Sequence, residues 1–187
     1  VPRPESIKRG LQVKMAQSLV FVRSCHGYEA RVAEMILAAF TRRYGSGAEE
    51  VAIVEELRRA GGVVAELTAL EDGEPVAHAM FSRAVAEPSS SRVAALAPVC
   101  VRVDRQGRGI GDSLIRAGLA ACREAGIEAV IVLGDDYYRR FGFDAGLVRG
   151  IACAFAGEHF RGLELRAGAF GGVRSLAYAP AFQSPGS

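Results

Sequence analysis

The stretch Gln106-Gly107-Arg108-Gly109-Ile110-Gly111, just past mid-chain, constrains the fold more than any other part of the sequence. It joins an apolar run over residues 92–103 to a segment, residues 109–126, in which Ile110, Leu114, Ile115, Gly118, Leu119 and Cys122 recur on one helical side. The run suits a strand buried on both faces, and Gly126 suits the helix stop. A short β-branched stretch at 129–133 follows, and strand, helix, strand in this order makes a parallel pair. Alternating glycines at the head of the helix turn several backbone N–H groups in one direction with no side chain in the way. The helix dipole adds about half a positive charge there. The combination predicts a phosphate or pyrophosphate site, with Arg105 and Arg108 adding charge at its rim; without a ligand, such a turn would serve tight strand-to-helix packing. Two nucleotide sites are excluded by spacing. A P-loop requires Gly-x-x-x-x-Gly-Lys followed by Ser or Thr, and no lysine occurs beyond residue 14. A dinucleotide fold requires Gly-x-Gly-x-x-Gly after its first strand, whereas this turn reads Gly-x-Gly-x-Gly and comes late.

The flanking sequence builds a mixed α/β architecture around this unit. Residues 18–23 have the β-branched and aromatic character of a strand. Helices are predicted over 29–40, ending near 44–47, and over 49–60, closed by Gly61-Gly62. Residues 63–70 and 75–83 read as an antiparallel hairpin joined by Glu71-Asp72-Gly73-Glu74, in which Asp-Gly signals a tight turn. A short helix at 137–141 and closing strands at 147–155 and 160–166 complete a central sheet of about six or seven strands with flanking helices. With 187 residues, 50% of them hydrophobic, the chain can bury one sizeable core, so a single domain over residues 15–182 is expected.

Charge and cysteine usage narrow the partners. The 23 basic and 21 acidic residues are scattered along the chain, so no basic stripe marks a nucleic-acid partner. Cys25, Cys100, Cys122 and Cys153 show no Cys-x-x-Cys spacing, and Glu158, His159 and Glu164 lack ligand spacing, so no metal is expected. Asp135 and Asp136 read as turn formers that cap the short helix. No apolar stretch is long enough to span a bilayer and no secretory leader is evident, which gives the expectation of a cytoplasmic protein with no membrane partner. Lys8 and Lys14 are the only lysines, which sets residues 1–14 apart as an added leader before a natural start at Met15. Residues 183–187 read as a flexible tail.

Gln106-x-x-Gly109-x-Gly111 after a central strand is similar to the Arg/Gln-x-x-Gly-x-Gly/Ala signature of the GNAT superfamily of N-acetyltransferases. The likeness extends through Leu96-Ala97-Pro98-Val99, Gly111-Asp112-Ser113-Leu114, the stretch from Leu133-Gly134-Asp135-Asp136-Tyr137-Tyr138 to Phe141-Gly142-Phe143, and His159-Phe160-Arg161-Gly162-Leu163-Glu164-Leu165. These resemble the YhbS-like branch. The resemblance implies the acyl-CoA N-acyltransferase fold, with acetyl-CoA as cosubstrate in a V-shaped opening between the central strand and its parallel neighbour. Main-chain groups of Val99, Cys100 and Val101 would pair with the pantetheine amides. The amides of Gly107, Arg108, Gly109, Ile110, Gly111 and Asp112, behind Gln106, would hold the pyrophosphate. Val103 departs from the proline common in this branch without disturbing main-chain pairing.

The reaction so implied moves an acetyl group to a primary amine of a small molecule or protein, by direct attack in a ternary complex. It needs a deprotonated amine, a donor for the developing oxyanion, here a main-chain N–H near Val101, and a proton for the leaving thiolate. Tyr138, in Tyr138-x-x-x-Gly142-Phe143, matches the family's general-acid tyrosine; the alternative is a ring packed among Phe141 and Phe143. Tyr137 would point roughly 100° away on a helix, so one of the two can face the sulfur. The predicted central strand carries no Asp or Glu. Glu66 and His78 on the preceding hairpin are therefore the base candidates, against the simpler readings of a surface carboxylate and a hydrogen-bonded core histidine. Cys100 shows no histidine partner in sequence, which disfavours a cysteine nucleophile. The competing function is a non-catalytic acyl-CoA-binding or sensing domain. An exposed late strand offers an edge for a homodimer, and the amine acceptor is expected to lie beyond the CoA sulfur.

Overall fold

Asp72-Gly73 closes a two-residue hairpin with Glu71 opposite Glu74, and the strand that follows it is the longest among the described residues. A computed structural model describes residues 19–183; the expected leader, the start at Met15 and residues 184–187 of the tail lie outside the described residues. The strands are β1 (Leu19–Arg23), β2 (Val63–Glu71), β3 (Glu74–Glu87), β4 (Val93–Val101), β5 (Ala129–Leu133), β6 (Phe160–Glu164) and β7 (Ser175–Ala177). The helices are α1 (Glu29–Tyr44), α2 (Ala48–Arg59) and α3 (Ile110–Glu124), and 3-10 turns cover Val103–Arg105 and Asp136–Phe141. The strands form one mixed sheet in the order β1-β2-β3-β4-β5-β6, with β7 beside the end of β3. Among the strand pairs of the described residues, β4 and β5 alone run parallel, as the strand, helix, strand order requires.

Helix α3 covers one face, where Leu114, Ile115 and Leu119 pack with Ala79 and Phe81 of β3 and Leu96 of β4. Helices α1 and α2 cover the other face through Val32, Ile36, Val54 and Leu57, against Met80 and Cys100. Residues after β5 fill the rest of that second face, with Val148, Ile151 and Phe170 against Ala95 and Ile131.

A bulge in β4 makes the site possible. Ala79 pairs with Val99, but Phe81 pairs with Leu96, so two positions on β3 oppose three on β4. The extra residue falls at 97–98, where Pro98 has no N–H to contribute to a ladder. Side-chain parity flips across it. Ala94 and Leu96 face α3 before the bulge, while Val99 and Val101 face it afterwards and Cys100 turns to α1 and α2.

Two expectations are corrected. Residues 147–155 do not form a strand: Gly150 has φ 81°, Arg149 and Ile151 donate their amides locally to Gly146 and Val148, and Ala152 alone makes a bridge, to Ser175. The segment is apolar because Val148 and Ile151 are buried under the sheet, a demand that side-chain packing meets without strand pairing. β3 also runs four residues past the predicted end at residue 83 and there pairs with β7. Among the described residues, no helix is long and apolar enough to cross a membrane.

Candidate functional site

β4 pairs with β5 only over Val93–Ala95 opposite Ala129–Ile131, so the two strands part beyond the bulge. The Arg102 amide donates to Val76 O at 2.8 Å. Antiparallel alternation then makes His78 and Cys100 a bonded pair and turns the main-chain groups of Val99 and Val101 away from β3, toward the opening. Of the three strand residues singled out in the sequence, Val99 and Val101 therefore present their polar groups to the cleft, while those of Cys100 are committed to β3. The Gln106 side-chain amide donates to Val101 O at 3.0 Å and folds the turn back on the strand end.

The turn itself has the shape of an anion cradle. Gly107 and Gly109 have φ of 74° and 75°, a region that favours glycine, and Cβ atoms built on them would meet nothing within 4 Å. Ile110, Gly111 and Asp112 occupy the first turn of α3, whose N–H groups have no helical acceptor. Free amides, open space and a helix N-terminus together fit a pyrophosphate.

The two tyrosines are separated by their partners. Tyr137 donates its hydroxyl to Asp112 Oδ1 at 2.8 Å, and Arg140 sits 4.6 Å over its ring while pairing with Asp112 at 3.2 Å. This ties the 136–141 turn to the head of α3. The hydroxyl of Tyr138 takes no partner among the described residues. Its ring meets Phe143 edge-on at 5.9 Å and lies so close to Gly134 that a Cβ there would come within 2.2 Å of it. Burial, then the nearby Asp135 carboxylate, pushes the Tyr138 phenol up to about 12, so it stays protonated at neutral pH. Asp135 also accepts from the Tyr137 amide, as the cap predicted from sequence, and pairs with Arg43 of α1 at 3.2 Å. The end of α1 thus reaches the turn that carries Tyr138, beside an open depression of about 750 Å³ lined by Asp135, Asp136, Tyr137, Arg140, Glu158, His159 and Arg161.

The base candidates lie elsewhere on the sheet. Glu66 is not a surface residue: its side chain is 11% exposed and its Oε1 receives Arg58 Nη2 at 2.5 Å and His78 Nε2 at 2.9 Å. Those bonds overcome a burial cost that acts in the opposite sense and hold the carboxyl at about 2, which makes Glu66 a poor proton acceptor. His78 is fully buried, and burial lowers its pKa. We take His78 as neutral, since its burial is complete and Arg58 already supplies the positive charge. A neutral His78 must donate through Nε2 to the carboxylate, which leaves Nδ1 a bare acceptor, buried and without a partner among the described residues.

Cross-strand register also gives Cys100 the histidine neighbour its sequence context lacked, since His78 lies opposite it. Burial, however, pushes the Cys100 thiol up to about 12, and a buried protonated thiol is inert. Sequence reading missed Glu71, taken only as a turn residue. It is 5% exposed and pairs with both Arg105 and Arg108. Nothing near Glu71 in sequence signals this role, because Arg105 lies 34 residues away.

A family model described as Acetyltransferase (GNAT) family matches residues 30–143, more than half of the chain. The chain is similar to the CoA complex of the GNAT family N-acetyltransferase YhbS from Escherichia coli, with a TM-score of 0.77, 26% identity, and coverage of 91% of this chain and 95% of that one. It is similar as well to a GNAT family acetyltransferase from Brucella melitensis solved with acetyl-CoA, at a TM-score of 0.73 and 31% identity over 89% of this chain and 99% of that one. A curated relative, the uncharacterized N-acetyltransferase YjhQ of Escherichia coli K12, is 41% identical over 81 residues. That match spans 42% of this chain and 45% of the relative, less than half of its length.

Proposed function

The chain belongs to the acetyltransferase (GNAT) family, and on that footing we propose that it transfers an acetyl group from acetyl-CoA to a primary amine by direct attack in a ternary complex. The parting of β4 from β5 directly above the glycine cradle carries this reading. The amides from Gly107 to Asp112 hold the pyrophosphate, and Val99 offers its main-chain groups and Val101 its N–H along the cleft. The Val101 N–H is the oxyanion donor, which stabilises charge where it develops. Tyr138 is the general acid for the leaving thiolate. Its phenol is protonated and its hydroxyl uncommitted, and a thiol of pKa about 8.5 leaves with modest help. Positioning of the two substrates supplies much of the rate. For the amine's proton the candidate is His78, reached from the cleft through a chain of water, with Glu66 fixing its tautomer.

CoA release measured over a panel of small primary amines and peptide amines tests the reading. Amine-dependent release is the expected result. Tight CoA binding with no release on any amine would support the alternative of a non-catalytic acyl-CoA-binding domain. In the same samples, acetyl-CoA at a hundredfold excess over its dissociation constant should stabilise the fold by about 2.7 kcal/mol.

A further inference from the structure

The arginines at the cradle belong to one alternating chain of charge. Arg102 Nε meets Asp104 Oδ1 at 2.7 Å, and Arg105 Nη1 meets Asp104 Oδ2 at 2.7 Å. Arg105 Nε reaches Glu71 Oε2, and Arg108 Nη1 reaches Glu71 Oε1 at 3.1 Å. Glu71 is the innermost member, with a side chain 4% exposed, whereas Arg108 is 45% exposed and Asp104 58%. It stands at the end of β2, on rigid sheet, opposite Glu74 and Leu19 in neighbouring strands. Arg105 ends the 3-10 turn that follows β4, and Arg108 sits between the two left-handed glycines. The two bonds of one carboxylate therefore grip the phosphate turn on both sides of Gln106 and Gly107. The Arg105 bond lowers the Glu71 pKa, with burial opposing, so the carboxylate stays charged at neutral pH.

We propose that Glu71 is a positioning residue for the acyl-CoA site, holding the cradle through Arg105 and Arg108 so that its amides are aimed before ligand arrives. This rests on reading the cradle as a CoA pyrophosphate site. Two effects compete when the charge is removed. Loss of a nearby negative charge favours an incoming phosphate, while two guanidiniums left without their shared carboxylate repel each other and release the turn. Gln106 still ties the turn to Val101 O and Asp104 still holds Arg105, but the Glu71 carboxylate is what bonds Arg105 and Arg108 together, so the second effect dominates.

Calorimetric titration with CoA decides it. E71Q should weaken CoA binding about tenfold, the equivalent of one charge-assisted hydrogen bond, and E71D should recover part of the loss. In an R105Q/R108Q background, adding E71Q should change the dissociation constant by less than about twofold, because residues that act through one another are not additive. Equal losses in both backgrounds would mean that Glu71 acts through general stability, and unchanged or tighter binding by E71Q would mean that it does not position the turn; either result overturns the proposal. Failure of the unmodified protein to bind CoA would remove the underlying reading along with it, whereas normal binding there with an unaffected E71Q removes this inference alone.

Discussion

Replacing Glu66 by Gln separates the structural role of the buried Arg58–Glu66–His78 network from its chemistry. The carboxyl's ordinary value is 4.5, and in the folded chain it lies at about 2. Because the folded value is the lower one, the network's stabilisation is present in full above about 4.5 and drains away as pH falls toward 2. The interval corresponds to at most about 3 kcal/mol. With His78 neutral, one of the bonds carries no opposing charge, so about 2 kcal/mol is the expected share. The side chain is 11% exposed, so solvent screening takes little from this figure. Urea denaturation of the unmodified protein and E66Q, repeated from pH 7 down to pH 3, measures it. E66Q should be less stable by about 2 kcal/mol at pH 7, since Arg58 loses its partner in a half-buried site. The gap should narrow as the unmodified protein acidifies below about 4.5 while the amide does not titrate. A gap that stays constant over this range would refute the assignment of the depressed pKa to Glu66, and with it the neutral tautomer deduced for His78.

Y138F should lower turnover by about a hundredfold, the lower end for a general acid, with CoA affinity within about twofold, because ring packing is retained and no bonded partner is orphaned; equal turnover would end the acid role. Y137F removes the strut to Asp112 and should reduce turnover several-fold with little change in CoA binding, read as a kcat effect in steady-state kinetics. G109A should weaken CoA at least about tenfold by placing a Cβ in the open cradle and straining a left-handed backbone, an effect visible by calorimetry in a chain that still melts cooperatively.

The sequence by itself determined the central unit. The apolar run, glycine turn and amphipathic helix are local in the chain, and each is dictated by short-range rules: period, positive φ, helix ends. The Asp72-Gly73 hairpin and the parallel β4–β5 pair were legible for the same reason. What only the tertiary structure decided depends on register and on contacts between distant residues. The bulge at 97–98 shifts parity within a run that is apolar throughout, so no pattern of hydrophobicity records it. Tyr137 and Tyr138 are chemically equal in sequence, and Asp112, 25 residues away, withdraws one of them. Glu66, expected at the surface, is buried because Arg58 and His78 converge on it from α2 and β3. Residues 147–155 were misread because burial alone, without pairing, selects the same apolar residues as a strand. The glycine turn from Gln106 to Gly111 is thus written in the chain, while the Glu71 carboxylate, 34 residues from Arg105, reaches it only through the folded sheet.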